Sequence, residues 1–399
     1  MLAKLNTFAR ERNGVRLVLV LYSVEFLDEL IYGMHGAILP FLKTDLALTY
    51  TQVGLLFTVP GLVSIFAEPV IGLLGDTRHR RAMVLGGIIA TVASLLLVAG
   101  GETYLVILGA FVVMASASGA YVNLAQATLI DLNPDRAEQT MARWVLLGSV
   151  AVTVAPLIAT AAFYFGYGWR GLYFGLAGTA GLYVMMLLRQ RFDAHAGAEE
   201  ESVAPRKLWA MLIEGLKNAE LLKWVLITEL ADFMLDKLLE VTGLYFHDVV
   251  GVSMAAASGA VAWMSTVGLL GSIAFVPVVE RVSGVKLLRI TAAIVLLAYI
   301  TFLLAPVVWL KYALIGLISF CTAGWFPILR AKSFQALPGQ SGVVMAVSSL
   351  ANVSSLFVPF VVGRVADMFG LGTAMWLLVL GPAALIVGLP RGNGGPVLR

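Results

Sequence analysis

Gly72-Leu73-Leu74-Gly75-Asp76-Thr77-Arg78-His79-Arg80-Arg81 is a charged stretch set between two long apolar ones, roughly 51–75 before it and 82–100 after it. A membrane-crossing helix needs about 20 mostly apolar residues. Each flank meets that length, so the stretch reads as a turn at a membrane surface. Outward from it the same alternation continues. Apolar segments run roughly 15–42, 51–75, 82–100, 103–130, 140–165 and 169–189, then 220–246, 255–280, 286–305, 309–333, 341–366 and 371–389. The pattern predicts an all-α integral membrane protein of twelve transmembrane helices in two pseudo-symmetric six-helix bundles. The bundles span 1–189 and 220–399, and 190–219 is a cytoplasmic linker. Within the linker, Glu199, Glu200 and Glu201 precede Pro205, Arg206 and Lys207, and the segment from Leu208 reads as an amphipathic helix at the membrane surface.

Composition excludes most other classes. Hydrophobic residues make up 60% of the chain and charged ones 13%, about half the charge of a soluble domain. The net charge of +3 is spread between apolar segments, which argues for membrane topology and against nucleic acid. The single cysteine, Cys321, cannot form an intrachain disulfide, and no C-x-x-C or histidine cluster suggests a metal. No cofactor is expected. A G-x-x-x-x-G-K-[ST] loop and an H-E-x-x-H motif are absent, so neither ATP drive nor a zinc hydrolase is indicated; the chain reads as no enzyme. The basic N-terminus (Lys4, Arg10, Arg12, Arg16) leads into an apolar segment too long for a cleaved signal, hence a retained first helix. Arg78, Arg80, Arg81, Arg136, Arg281, Lys286 and Arg289 fall on one set of connections, and only Lys43, Arg170, Lys311 and Arg364 on the other. That asymmetry places both termini in the cytoplasm of a multi-pass cell-membrane protein, in the cytoplasmic membrane if bacterial.

The halves resemble each other. Glu25-Phe26-Leu27-Asp28 in the first helix matches Glu229-Leu230-Ala231-Asp232 in the seventh. Tyr121 pairs with Trp325, Met141 with Met345, and Pro134 and Pro156 with Pro338 and Pro359. Repeated six-helix units suit a transporter that rocks about a central site.

The opening stretch resembles the signature loop of the major facilitator superfamily. Gly72, Gly75, Asp76, Arg80 and Arg81 match, while Thr77 stands where Arg is usual and His79 where Gly is usual. The resemblance implies that this element latches one conformation, which makes Asp76 and Arg80 gating residues. Physically, glycines three apart let helices approach closely, and arginines at a helix end anchor to lipid phosphates. A degenerate second copy is Glu280-Arg281-Val282-Ser283-Gly284-Val285-Lys286. Ala151 to Thr160, around Pro156, resembles the antiporter motif of drug–proton exchangers with alanines replacing glycines, and Pro156 should kink its helix. Ile38 to Leu42 and Leu48 to Leu55 resemble the fosmidomycin-resistance-type efflux branch.

Charges inside apolar helices carry the functional reading. The first helix holds Glu25, Asp28 and Glu29; the seventh holds Glu229, Asp232, Asp236 and Glu240, with Lys237 beside them. Steps of three, four and four put the second set on one helix face. A charge at the bilayer centre costs about 2.5–3.5 kcal/mol, so the seven acids together represent on the order of 20 kcal/mol. One lysine cannot neutralise them. Some must carry protons, and most must face a watered cavity. Asp28, Glu29, Asp232 and Asp236 are the expected proton or cation sites, Glu25 and Glu229 a symmetry-related pair, and Lys237 a partner for Glu240 or Asp236. Tyr32 and His35 continue the Glu25–Asp28 face. Asn123 and Gln126 in the fourth helix, and Arg330 at the place matching Gln126, are further candidates to line the path.

These residues favour proton-coupled export (antiport) of a small organic compound, cationic or amphipathic, by alternating access. Its partners would be that substrate, protons and membrane lipids, and the protein a monomer. Proton symport could use the same acids, and export of a divalent cation would use their oxygens. A membrane receptor or scaffold that transports nothing is the reading from another class.

Overall fold

The computed structural model describes residues 2–75, 80–132, 137–189, 213, 215–279, 281–337 and 341–390. Every element in the described residues is helical. The first run comprises α1 (Leu2–Asp45), α2 (Tyr50–Gly75), α3 (Arg80–Gly100), α4 (Tyr104–Leu132), α5 (Ala137–Tyr164) and α6 (Trp169–Leu188). The second comprises α7 (Ala219–Leu244), α8 (Met254–Val279), α9 (Gly284–Leu304), α10 (Val308–Thr322), α11 (Trp325–Ala336), α12 (Ser341–Ser355), α13 (Val358–Phe369), α14 (Leu371–Ala374) and α15 (Leu380–Gly388). A π-turn, Tyr245–Val249, extends α7, and a 3₁₀ turn, Met375–Val379, joins α14 to α15.

Hydrocarbon forces this choice, because a helix satisfies its backbone internally. Hydroxyls follow the same rule: Thr91 donates to the Gly87 carbonyl, Thr128 to Leu124, Thr228 to Trp224 and Thr291 to Leu287. Among the described residues nine stretches are long and apolar enough to cross a membrane: α2 to α6, α8 and α9 singly, and the runs Val308–Ala336 and Leu371–Gly388, each made of more than one element. Of the other two long helices, α1 has 44 residues and α7 has 26. Length is not what keeps them out of that set; their acids are. At 1.5 Å per residue α1 is about 66 Å long, roughly twice a bilayer's hydrocarbon.

The second run departs from unbroken spans. The segment expected at 309–333 is two helices, with a break at Ala323 and Gly324, where a Cβ on Gly324 would sit 2.6 Å from the Phe275 ring. The segment expected at 341–366 is likewise split, and Pro359 falls in the first turn of α13, where its missing N–H leaves no bond unmade. Pro156, by contrast, lies inside an uninterrupted α5.

Contacts divide the chain into two units, residues 1–48 with 55–198, and 49–54 with 199–399. In the first, α3 packs on α4 and α6, and α1 on α5 and α4. Small residues set the approach. A Cβ on Gly87 would lie 2.9 Å from the Ala117 carbonyl, and one on Gly33 would lie 2.8 Å from the Val152 Cα. Arg170 ties the unit's end together: it donates to the Ala99 and Gly101 carbonyls at the end of α3 and pairs with Asp45 at 2.8 Å.

In the second unit α7 is central, packing on α8, α11, α12 and α15. Leu221 and Val225 of α7 form an apolar cluster with Val343, Val344 and Val347 of α12. Lys311 was expected as a loop charge; it is instead 6% exposed. Its ammonium donates to the Tyr245 hydroxyl at 2.8 Å and the Phe302 carbonyl at 2.6 Å, so it closes the C-terminal end of α9. The first turn of α2 also belongs to this unit. The Asp367 carboxylate accepts the Tyr50 and Thr51 N–H groups, both at 2.8 Å, and Tyr50 donates to Asp248 at 2.7 Å.

Candidate functional site

The α1 acids turn toward two different neighbours. Glu25 is 7% exposed; it meets Trp144 of α5 through a hydrogen bond and lies against Gly148, whose added Cβ would sit 2.8 Å from Oε1. Glu29 is half-buried and crosses the same glycine, its Cγ 3.1 Å from that Cβ position. Asp28 faces α4, where the Tyr121 hydroxyl donates to Oδ1 at 2.6 Å and Ser118 adds a second bond. Helical geometry explains the split, since residues 25 and 29 lie one turn apart while 28 is offset around the axis. Among the described residues, the hydrogen-bond partners of Glu25 and Asp28 are uncharged.

On α7 the acids have cations. The Arg330 guanidinium of α11 acts on both Glu229 and Asp232 and lies over the Phe334 ring at 5.6 Å. Glu229 Oε2 is buried without a hydrogen-bond partner. Asp232 is half-buried and Asp236 exposed. Lys237 and Glu240 are 7% and 8% exposed and bonded to each other at 2.5 Å. Glu240 is therefore the acid that Lys237 holds. The ladder of four acids expected on α7 ends at Asp236, because Glu240 is turned into the unit and paired with Lys237 there.

Other expected residues fall in varied places. Tyr32 is 38% exposed. His35 is buried, its Nδ1 bonded to the Tyr32 carbonyl, its ring against Phe57 and Phe111, and its Nε2 without a partner. Asn123 is exposed and Gln126 half-buried. At about 100° per residue, both point well away from the Tyr121 face that meets Asp28. The structure does not bring them to the α1 acids.

Gly72 and Gly75 form the last turns of α2, but Asp76 lies outside the described residues, as do Pro134, Pro338, Glu280 and most of the linker. Arg80 is 7% exposed, and Arg81 donates to the Leu188 carbonyl at the end of α6 at 3.1 Å. These arginines were expected on lipid phosphates. Arg81 instead closes a helix C-terminus, where carbonyls lack partners. Ala155, next to Pro156, packs against Gly33, and the Pro359 carbonyl would sit 2.1 Å from a Cβ on Gly54. The residues missed from sequence are Ser118, Trp144 and Gly148. Gly148, Ala151 and Ala155 recur at helical spacing, a signal for close approach that could have marked α5 as the partner of α1.

One register relates the halves: 229 − 25, 232 − 28, 325 − 121 and 330 − 126 each equal 204. Chemistry diverges on this common frame. Tyr121 reaches an acid, while its counterpart Trp325 donates to Thr291 at 2.9 Å; Arg330 charges the position that Gln126 leaves neutral.

A helical membrane protein with matched acid-bearing first helices in its two repeats is a transporter in class. The Major Facilitator Superfamily profile matches residues 21–358, and the chain belongs to that family. Among solved structures, it is similar to a bacterial homolog of the human lysosomal transporter Spinster in an inward-facing, unoccupied conformation, with a TM-score of 0.76, 16% identity, and 94% and 95% of the two chains covered. The nucleoside transporter NupG gives 0.72, 12%, 94% and 97%. The human organic anion transporter MFSD10 (TETRAN) gives 0.61, 18%, 93% and 99%. These likenesses show the fold. In sequence, the chain is 26% identical over 197 residues to the chloramphenicol resistance protein of Streptomyces lividans, covering 47% of this chain and 50% of that one. The match thus spans half the length of that relative.

Proposed function

We propose that this transporter exchanges protons for a small organic compound, cationic or amphipathic, and exports it across the cell membrane. The carrying observation is the α1 set, Glu25, Asp28 and Glu29: Asp28 is bonded by a phenol and a hydroxyl and Glu25 by an indole, and the charge acting on Glu29 is that of Asp28. Three carboxylates so placed need positive charge. Protons or a cationic substrate can supply it, and each excludes the other. Such competition is the elementary requirement of antiport.

Asp28 and Glu29 act as the exchange site in this reading. Asp232 and Asp236 form a second, less negative region in which Arg330 offsets part of the charge. Glu229, within reach of Arg330, links the two behaviours. Residues 190–219 join the two repeats on the cytoplasmic side, and Asp76 with Arg80 latches one state. The resistance function in the name of the Streptomyces relative supports export and an aromatic, amphipathic compound as a first substrate to try. The divalent-cation reading has no geometric support: among the described residues no three acidic, histidine or cysteine side chains converge to hold a metal.

Proteoliposomes loaded with a pH-sensitive dye test the proposal. Adding chloramphenicol or lipophilic amines under an imposed pH gradient should move protons opposite to the compound. Asp28→Asn should reduce that coupled flux at least tenfold. Flux indifferent to the pH gradient and to both Asp28→Asn and Asp232→Asn refutes proton coupling.

A further inference from the structure

We infer that Gly148 and Trp144 are positioning residues for the α1 acids, together forming a bare, hydrogen-bonding seat on α5 for Glu25 and Glu29. The two helices run side by side in register. Tyr22 donates to the Thr140 carbonyl, Glu25 meets Trp144, Glu29 crosses Gly148, and Gly33 meets Val152 and Ala155. Each rung is about one turn beyond the last on both helices.

Glu25 and Glu29 occupy the charged rungs of this ladder. A Cβ at Gly148 would lie 2.8 Å from Glu25 Oε1, 3.5 Å from its Cδ and 3.1 Å from Glu29 Cγ. Those are the far parts of flexible side chains. Alanine there leaves the helix intact, since it is the better helix former. What it changes is where the carboxyl sits, and whether Glu25 still reaches the Trp144 indole. Trp144 is itself 3% exposed and cannot follow freely.

Ionisable groups acting on Glu25 are Asp28 and Glu29 on α1 and Tyr121 on α4. From α5 it meets uncharged Trp144 and Gly148, with Arg143 exposed. Helix α6, also packed on α1, carries Arg170, held at Asp45, and the phenols Tyr173 and Tyr183. The seat therefore governs a carboxyl whose neighbours are acids and neutral donors. Its importance for transport rests on the proton-exchange reading above; its existence does not.

The first arm of the test needs no substrate. In the purified full-length protein labelled at tryptophan, the Trp144 indole N–H resonance is assigned by its loss in Trp144→Phe and followed against pH. The parent and the control Gly171→Ala, which has open space at its Cβ, should show one titration step. Glu25→Gln should abolish it. Gly148→Ala should move its midpoint by about one pH unit, the scale of one lost hydrogen bond to a charged group. Trp144→Phe, which keeps most of the ring and deletes the donor, should move the pH midpoint of flux by a similar amount. No step in the parent, or an unmoved midpoint in Gly148→Ala, overturns the inference. Failure of proton coupling would show separately, as flux blind to pH while the indole step persists.

Discussion

Removing one member of the buried Lys237–Glu240 pair strands the other. The two side chains are 7% and 8% exposed, and their charged atoms are 2.5 Å apart. Breaking such a pair typically costs about 3–5 kcal/mol, whereas replacing both partners by apolar groups of similar volume is close to neutral. Glu240→Gln leaves the ammonium with exposed Asp236 as a fallback, so its loss should fall near 3 kcal/mol, the lower end of that range. Lys237→Met strands a carboxylate with no such fallback and should reach the upper end. The double variant Lys237→Met/Glu240→Leu should recover most of the loss, ending far below the roughly 8 kcal/mol that the two single losses would give if they added. Denaturation midpoints of the detergent-solubilised protein measure all three. Single losses below about 1 kcal/mol that simply add would refute the buried-pair reasoning. The stabilised double variant should also keep proton-driven flux. Recovered stability with lost flux would place the pair in the transport path instead of the scaffold.

Further outcomes follow from other contacts. Partial burial raises the Asp367 carboxyl, but the Thr51 side chain, the Thr51 and Tyr50 N–H groups and the Thr49 side chain together outweigh it and hold the group below its ordinary value of 3.8. Its stabilising effect is thus complete above the ordinary value and is lost as pH falls through the lowered one. At neutral pH, Asp367→Asn should speed amide exchange at Tyr50 and Thr51 roughly fivefold, the equivalent of about 1 kcal/mol for a helix cap; unchanged exchange would count against the clamp. Gly54→Ala, with its Cβ 2.1 Å from the Pro359 carbonyl, should destabilise by about 1–3 kcal/mol, while Gly86→Ala, in open space, should not; equal unfolding midpoints would contradict the packing. Arg170→Met removes bonds to two carbonyls and Asp45 and should lower the thermal midpoint by several degrees, a change that high salt cannot mimic because the carbonyl bonds are uncharged on one side.

Hydropathy was enough to mark the nine stretches among the described residues that are long and apolar enough to cross a membrane, each of which must satisfy its own backbone in hydrocarbon; the expected count of twelve goes beyond them. It was weakest where helices break. The split at Ala323 and Gly324 lies in an apolar run, and only the packing of Phe275 shows why a bare backbone is needed there. Charge was legible as type but not as partner. Lys311 stood in the sequence as a loop cation and Arg81 as part of the signature stretch, anchored to lipid; the fold turns each onto a helix-end carbonyl.

Spacing along α1 and α7 was sufficient to single out seven acids, since burying charge is so unfavourable that its mere presence is informative; the superfamily was legible in the separate stretch from Gly72 to Arg81. Which neighbour each acid meets is a matter of helix rotation and approach, and those come from contacts distant in the chain. Tyr121 lies 93 residues from Asp28, yet it holds that carboxylate at 2.6 Å. Gly148 can seat Glu25 only because α5 happens to present its bare turn at that height. One-dimensional periodicity carries no information on such meetings; side-chain packing in three dimensions decides them.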